Sequence, residues 1–144
     1  MEKLLFIAKR ILDVNPTACL TGTMMLKLRG IDLGREPHDV DILIRDYAPC
    51  IIMPEDMNAE EIGRASDNCG IKYKFNDVII DILSDGEEPE LVDGIRLGTV
   101  DGLMKAKYLY SQQNNDSAKK HREDLVKLGF IFPPPTILDM ELPW

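Results

Sequence analysis

Apolar residues recur at helical spacing from the start of the chain. Leu4, Ile7, Ala8, Ile11 and Leu12 follow the i, i+3, i+4, i+7 pattern that places side chains on one helix face. This predicts an amphipathic helix over 2–13, ended by Asn15-Pro16. The pattern then shortens. Residues 17–21, with the apolar run Ala18-Cys19-Leu20, read as a brief strand. Thr23 to Arg29 reads as a helix with Met24, Met25 and Leu28 turned inward and Gly30 at its end. A loop over 31–37 holds Gly34 and Pro37, and a strand follows over 38–45.

The second half alternates in the same way. Cys50 to Met53 forms a brief strand bounded by Pro49 and Pro54. Pro54-Glu55-Asp56 predicts the start of a helix over 55–66, because acids suit a first turn. Asn68-Cys69-Gly70 is a turn. Ile71 to Phe75 and Val78 to Leu83 are strands joined through Asn76-Asp77 as a hairpin. Asp85 to Asp93 is an acidic loop, and Ile95 to Leu97 a last short strand. Thr99 and Asp116 are placed to cap helices over about 100–112 and 116–128, the second closed by Gly129. This order predicts an α/β (α+β) fold: a mixed β-sheet with helices packed mainly on one face. Residues 1–130 are read as a single domain. The tail, 131–144, is Pro-rich and apolar and is expected to pack on the domain or on a partner.

Composition narrows the class. The chain has 144 residues, enough for a real core, with an ordinary 44% apolar and 29% charged fraction. Its net charge of -8 argues against tight non-specific nucleic-acid binding, which basic surface drives. Cys19, Cys50 and Cys69 lack any metal-ligand spacing and read as free thiols in a reducing cytoplasm. No segment approaches the roughly 18 apolar residues of a membrane span, so no membrane partner is expected.

The candidate chemistry lies in carboxylates. Asp39 and Asp41 stand at i and i+2 at the head of a strand, so both project from one face. Like charges there repel unless a divalent metal or a basic side chain lies between them. Asp81 interrupts the apolar run Val78 to Leu83, a costly place for a carboxylate without a partner. If that strand lies beside 38–45, Asp39, Asp41 and Asp81 converge as oxygen ligands suited to Mg2+. An Asp-x-Asp alone is short and common, and by itself favours the bland reading of a strand-end and a solvent-facing acid. The third acid and the turn at Gly22-Thr23 favour the metal site. At that turn, backbone N–H groups and the Thr23 hydroxyl can approach phosphates. Arg35 is placed to clamp a phosphate, or else to pair with Asp39 or Glu36.

Leu20-Thr21-Gly22-Thr23, the helix after it, and Arg35-Glu36-Pro37-His38-Asp39-Val40-Asp41-Ile42 resemble the nucleotidyltransferase superfamily, which includes DNA polymerase beta-like and aminoglycoside-modifying enzymes. The spacing is most similar to its small bacterial and phage branches, akin to AbiE-type toxin and minimal nucleotidyltransferases. Gly22-Thr23 stands where the family has Gly-Gly or Gly-Ser, Asp81 where it has its third acid, and Asp124-Leu125 in a helix like its later Lys-Asp-x-x-Asp-Leu. There His121 replaces the first Asp. The resemblance implies Asp39, Asp41 and Asp81 as catalytic metal ligands for Mg2+ or Mn2+. It implies Gly22, Thr23, Arg35 and Lys105 at a nucleoside triphosphate, with Lys107 an alternative to Lys105. The implied reaction moves NMP from an NTP to a hydroxyl on RNA, protein or a small molecule. The alternative is a catalytically degenerate module of the same fold, acting with a partner protein or as a homodimer in a defence or toxin–antitoxin setting.

Overall fold

The computed structural model describes residues 1–45, 51–65, 70–84 and 88–132. Helix α1 spans Glu2–Val14, strand β1 Cys19–Thr21, helix α2 Gly22–Leu28 and strand β2 Asp39–Leu43. Then come β3 Glu60–Ala65, β4 Gly70–Phe75, β5 Val78–Leu83, β6 Glu90–Val92 and β7 Ile95–Leu97, before α3 Val100–Ser111 and α4 Ser117–Lys127. The strands form one seven-stranded mixed sheet in the order β3-β4-β5-β2-β1-β7-β6. The α/β reading with a mixed sheet holds.

Alternation in the central strands separates two faces. Val40 and Ile42 of β2, and Ile80 and Ile82 of β5, are fully buried, and α1 and α2 pack on β1 and β2. Helix α1 contributes Leu4, Ile7, Ala8, Ile11 and Leu12, its predicted apolar face. Each large side chain buried there stabilises the fold by roughly 1.5–3 kcal/mol. Along β2 the opposite positions are exposed at Asp39 and half-buried at Asp41 and Leu43.

Two polar side chains tie α1 to the rest. Buried Asn15 donates from Nδ2 to the carbonyls of Ile11 (2.8 Å) and Ile52 (2.7 Å), and accepts at Oδ1 from the Ile52 N–H (2.9 Å). Arg96 on β7 donates to the carbonyls of Leu12, Asn15 and Ala18, covering acceptors that the end of a helix leaves open.

The structure corrects several sequence expectations. No helix forms over 55–66: a turn at Glu55-Asp56 leads into β3 instead. Asp56 pairs with Arg10 of α1 rather than opening a helix. Gly63, at φ 150°, and a register shift between Glu61 and Gly63 bend the edge strand where it pairs with β4. Within the acidic segment, Glu90–Val92 is a strand, β6, paired with β7. Ile51 to Met53 is not a strand, and Cys50 lies outside the described residues. Asn68 and Cys69 of the expected turn, residues 85–87 and the tail from 133 onward lie outside them too. Asp116 makes no cap hydrogen bond; the Asn115 side chain accepts from the Ala118 N–H (3.0 Å) instead. Thr99 does cap α3, its hydroxyl accepting from the Gly102 N–H at 3.0 Å.

The described chain falls into two compact units, 1–106 and 107–144, with the boundary inside α3. The first holds the sheet with α1 and α2. The second holds the end of α3 and α4. In it Lys107 and Asp124 form a buried ion pair, Nζ to Oδ2 2.8 Å, with side chains 8% and 1% exposed. Tyr108, Phe130 and Phe132 cluster in the same unit, and the Arg122 guanidinium lies over the Phe132 ring.

Candidate active site

Strand register brings the polar residues of the sheet onto one line. Strands β2 and β5 pair in parallel with Asp41 opposite Asp81. On the other side of β2, Thr21 of β1 stands opposite Asp41. On the other side of β5, Lys72 of β4 stands opposite Asp81. One row therefore reads Lys72, Asp81, Asp41, Thr21 across four strands. Directly opposed residues share a face, so this is the face away from Val40 and Ile80. Asp39 lies on the same face one step along β2, opposite Ile79.

The turn from β1 into α2 closes on this row. Thr21 ends the strand and is extended, while Gly22 begins the helix with φ +74°, a conformation that favours glycine. A Cβ on Gly22 would stand 2.1 Å from Asp41 Oδ2. Glycine is thus required twice, for its backbone angle and for the nearness of the carboxylate. Gly98, just past β7, donates its N–H to the Leu20 carbonyl at 2.8 Å and seats the same strand from its far side.

The row holds two carboxylates and one ammonium, so its charge is partly offset within it. Asp81 is 9% exposed, and its Oδ1 lies 2.9 Å from Lys72 Nζ. That contact is an ion pair rather than an aligned hydrogen bond. Lys72 was not singled out from sequence, yet the hairpin carried the signal. The two-residue turn at Asn76-Asp77 pairs Phe75 with Val78, and counting back along the ladder pairs Lys72 with Asp81.

The other expected site residues are placed as follows. Thr23 is half-buried in the first turn of α2, Arg35 is half-buried in the loop before β2, and Lys105 is exposed on α3. The Glu36 carboxylate pairs with Lys27. Lys107, the alternative to Lys105, is committed to Asp124 and is buried with it. The structure brings together Gly22, Asp41 and Asp81, and adds Thr21 and Lys72. Among the described residues no three His, Cys, Asp or Glu side chains form a group ready to hold a metal ion. Asp39 sits a step away opposite an isoleucine, and Asp81 is engaged by Lys72.

The donor chemistry suits a hard divalent cation: Asp41 and Asp81 offer only oxygen, on adjacent strands and in register. No described helix is long and apolar enough to cross a membrane.

No protein-family profile and no curated protein matches the chain. Solved structures do. A crystal structure of ANT(2″)-Ia in complex with adenylyl-2″-tobramycin superposes with a TM-score of 0.58 at 14% identity, over 88% of this chain and 87% of that one. A solution structure of the antibiotic-resistance factor ANT(2″)-Ia gives 0.57 at 12% identity, over 88% and 83%. ANT(2″)-Ia is an aminoglycoside nucleotidyltransferase. The chain shares the fold of this nucleotidyltransferase.

Proposed function

We propose that the protein is a divalent-metal-dependent nucleotidyltransferase that moves NMP from an NTP to a hydroxyl acceptor. The observation that carries this reading is the apposition of Asp41 and Asp81 in register on adjacent strands, with the Gly22 turn against Asp41. Asp39, Asp41 and Asp81 would hold Mg2+ or Mn2+. The bound ion would neutralise the triphosphate and align it for in-line attack.

The chain's own groups divide the remaining work. Gly22, lacking a side chain, lets the backbone come close to phosphate oxygens, and Thr23 adds its hydroxyl and N–H there. Arg35 and the exposed Lys105 supply positive charge to the phosphates. Asp81 takes the proton of the acceptor hydroxyl as that oxygen bonds to the α-phosphorus and the bond to pyrophosphate breaks. A structural neighbour is bound to adenylyl-2″-tobramycin, which favours ATP as donor and a small-molecule hydroxyl as acceptor. The ion pair on Asp81 favours a second reading, a binding module that keeps the fold and acts with a partner without transferring a nucleotide.

The test is calorimetric titration of ATP, GTP, CTP and UTP with Mg2+, followed by transfer from α-labelled nucleotide to candidate acceptors. One nucleotide should bind only with metal. Asp41→Asn and Asp81→Asn should each lower transfer by at least about 10²-fold while keeping the fold. Full transfer by both variants would overturn the assignment. Partner binding that neither variant weakens, with no nucleotide bound, would favour the module.

A further inference from the structure

We propose that Lys72 is the resident counter-ion of Asp81, a positioning residue that holds this carboxylate until a divalent cation displaces it. The inference rests on the nucleotidyltransferase reading and assigns that site a built-in competitor for its metal.

Electrostatics comes first. Two carboxylates opposed on neighbouring strands destabilise one another unless positive charge lies close by. Lys72 supplies such charge at the Asp81 end of the row, its Nζ 2.9 Å from Asp81 Oδ1. Lys72 therefore gives Asp81 the same opposite charge that a bound cation would give it. Both positive charges need the same carboxylate, so they compete for it.

The surroundings leave Lys72 room to yield. Its side chain is 33% exposed, whereas that of Asp81 is 12% exposed. Its neighbour on the outer strand, β3, is Gly63, which has no side chain. A Cβ built on Gly63 meets no heavy atom within 4 Å. A lysine head group on a flexible stem can move across that bare patch of edge strand without leaving water. Asp81, held in the middle of the sheet, cannot follow it.

Mn2+ binding measured by calorimetry, and thermal unfolding in EDTA, test this on the full chain with Lys72→Met, Lys72→Arg and Asp81→Asn. Lys72→Met should bind Mn2+ roughly tenfold more tightly than wild type, the scale of one charge contact in a part-buried setting. The same variant should unfold at a lower temperature in EDTA and recover when Mn2+ is added. Lys72→Arg, which keeps the charge, should stay near wild type in both readouts. Asp81→Asn should remove the difference that Lys72→Met makes. Equal Mn2+ affinity and equal unfolding temperature for wild type and Lys72→Met would overturn the role of Lys72 and leave the metal site standing. Failure of both proteins to bind Mn2+ would overturn the metal reading and the inference with it.

Discussion

At the scale of single residues, Gly22 is constrained both by its backbone angle and by its neighbour. Gly22→Ala must force alanine to φ +74° and drive its Cβ into Asp41 Oδ2. Gly34 separates these effects, since it also has positive φ (+83°) but nothing within 4 Å of a built Cβ. Gly34→Ala should therefore lose only the backbone share, on the order of 1–2 kcal/mol. Gly22→Ala should lose more than that in urea unfolding, together with nucleotide and metal binding. Equal losses from the two variants would show that Asp41 gives way freely. The acids themselves were legible, because two aspartates at i and i+2 and a third inside an apolar run are visible without coordinates. Their neighbours were legible only through register. Lys72 follows from the length of a hairpin turn, but the pairing of Asp41 with Asp81 follows from which strands are adjacent, and no local pattern states that.

At the scale of elements, helices with one apolar face were the readable part, and edge strands were not. Strand β3 is drawn from Glu60-Glu61-Ile62-Gly63-Arg64-Ala65, a segment whose strand character comes from the unpaired edge of β4 rather than from its own composition. Its charges also guard that edge against pairing with other chains. Strand β6 is likewise an edge strand, paired among the described strands with β7. The resemblance of Asp124-Leu125 to a family helix turned out to mark a buried ion pair with Lys107. Removing one partner of such a pair leaves the other buried without its opposite charge. Lys107→Met should lower the stability of the 107–144 unit by about 3–5 kcal/mol, and adding Asp124→Leu should recover much of that loss. Urea unfolding of the two variants beside wild type reads both numbers. A double variant as unstable as the single would mean that Asp124 holds the unit through other contacts.

At the scale of the whole molecule, the acidic balance of the chain makes low pH informative. Lys3 Nζ stands 2.5 Å from Asp77 Oδ1, tying α1 to the turn between β4 and β5, and this hydrogen bond holds the Asp77 carboxyl below its usual value of 3.8. Arg10 lowers Asp56 in the same way. A depressed carboxyl stabilises the fold above its unfolded pKa, and that contribution is lost as pH falls through the folded value. Wild type should therefore melt slightly above Asp77→Asn at neutral pH, and the gap should close below the carboxylate range. A gap that widens toward acid would contradict the pairing. The line of residues across the sheet also has a history in time. Lys72 and Asp81 belong to one hairpin, a local contact that such chains close in roughly 1–10 μs. Asp41 reaches Asp81 only through a parallel pairing of distant segments, which is intrinsically slow. If the hairpin closes first, as its local contacts favour, the incoming strand would meet a carboxylate that Lys72 already faces. The lysine would then ease the step at which the sheet's halves are sewn together.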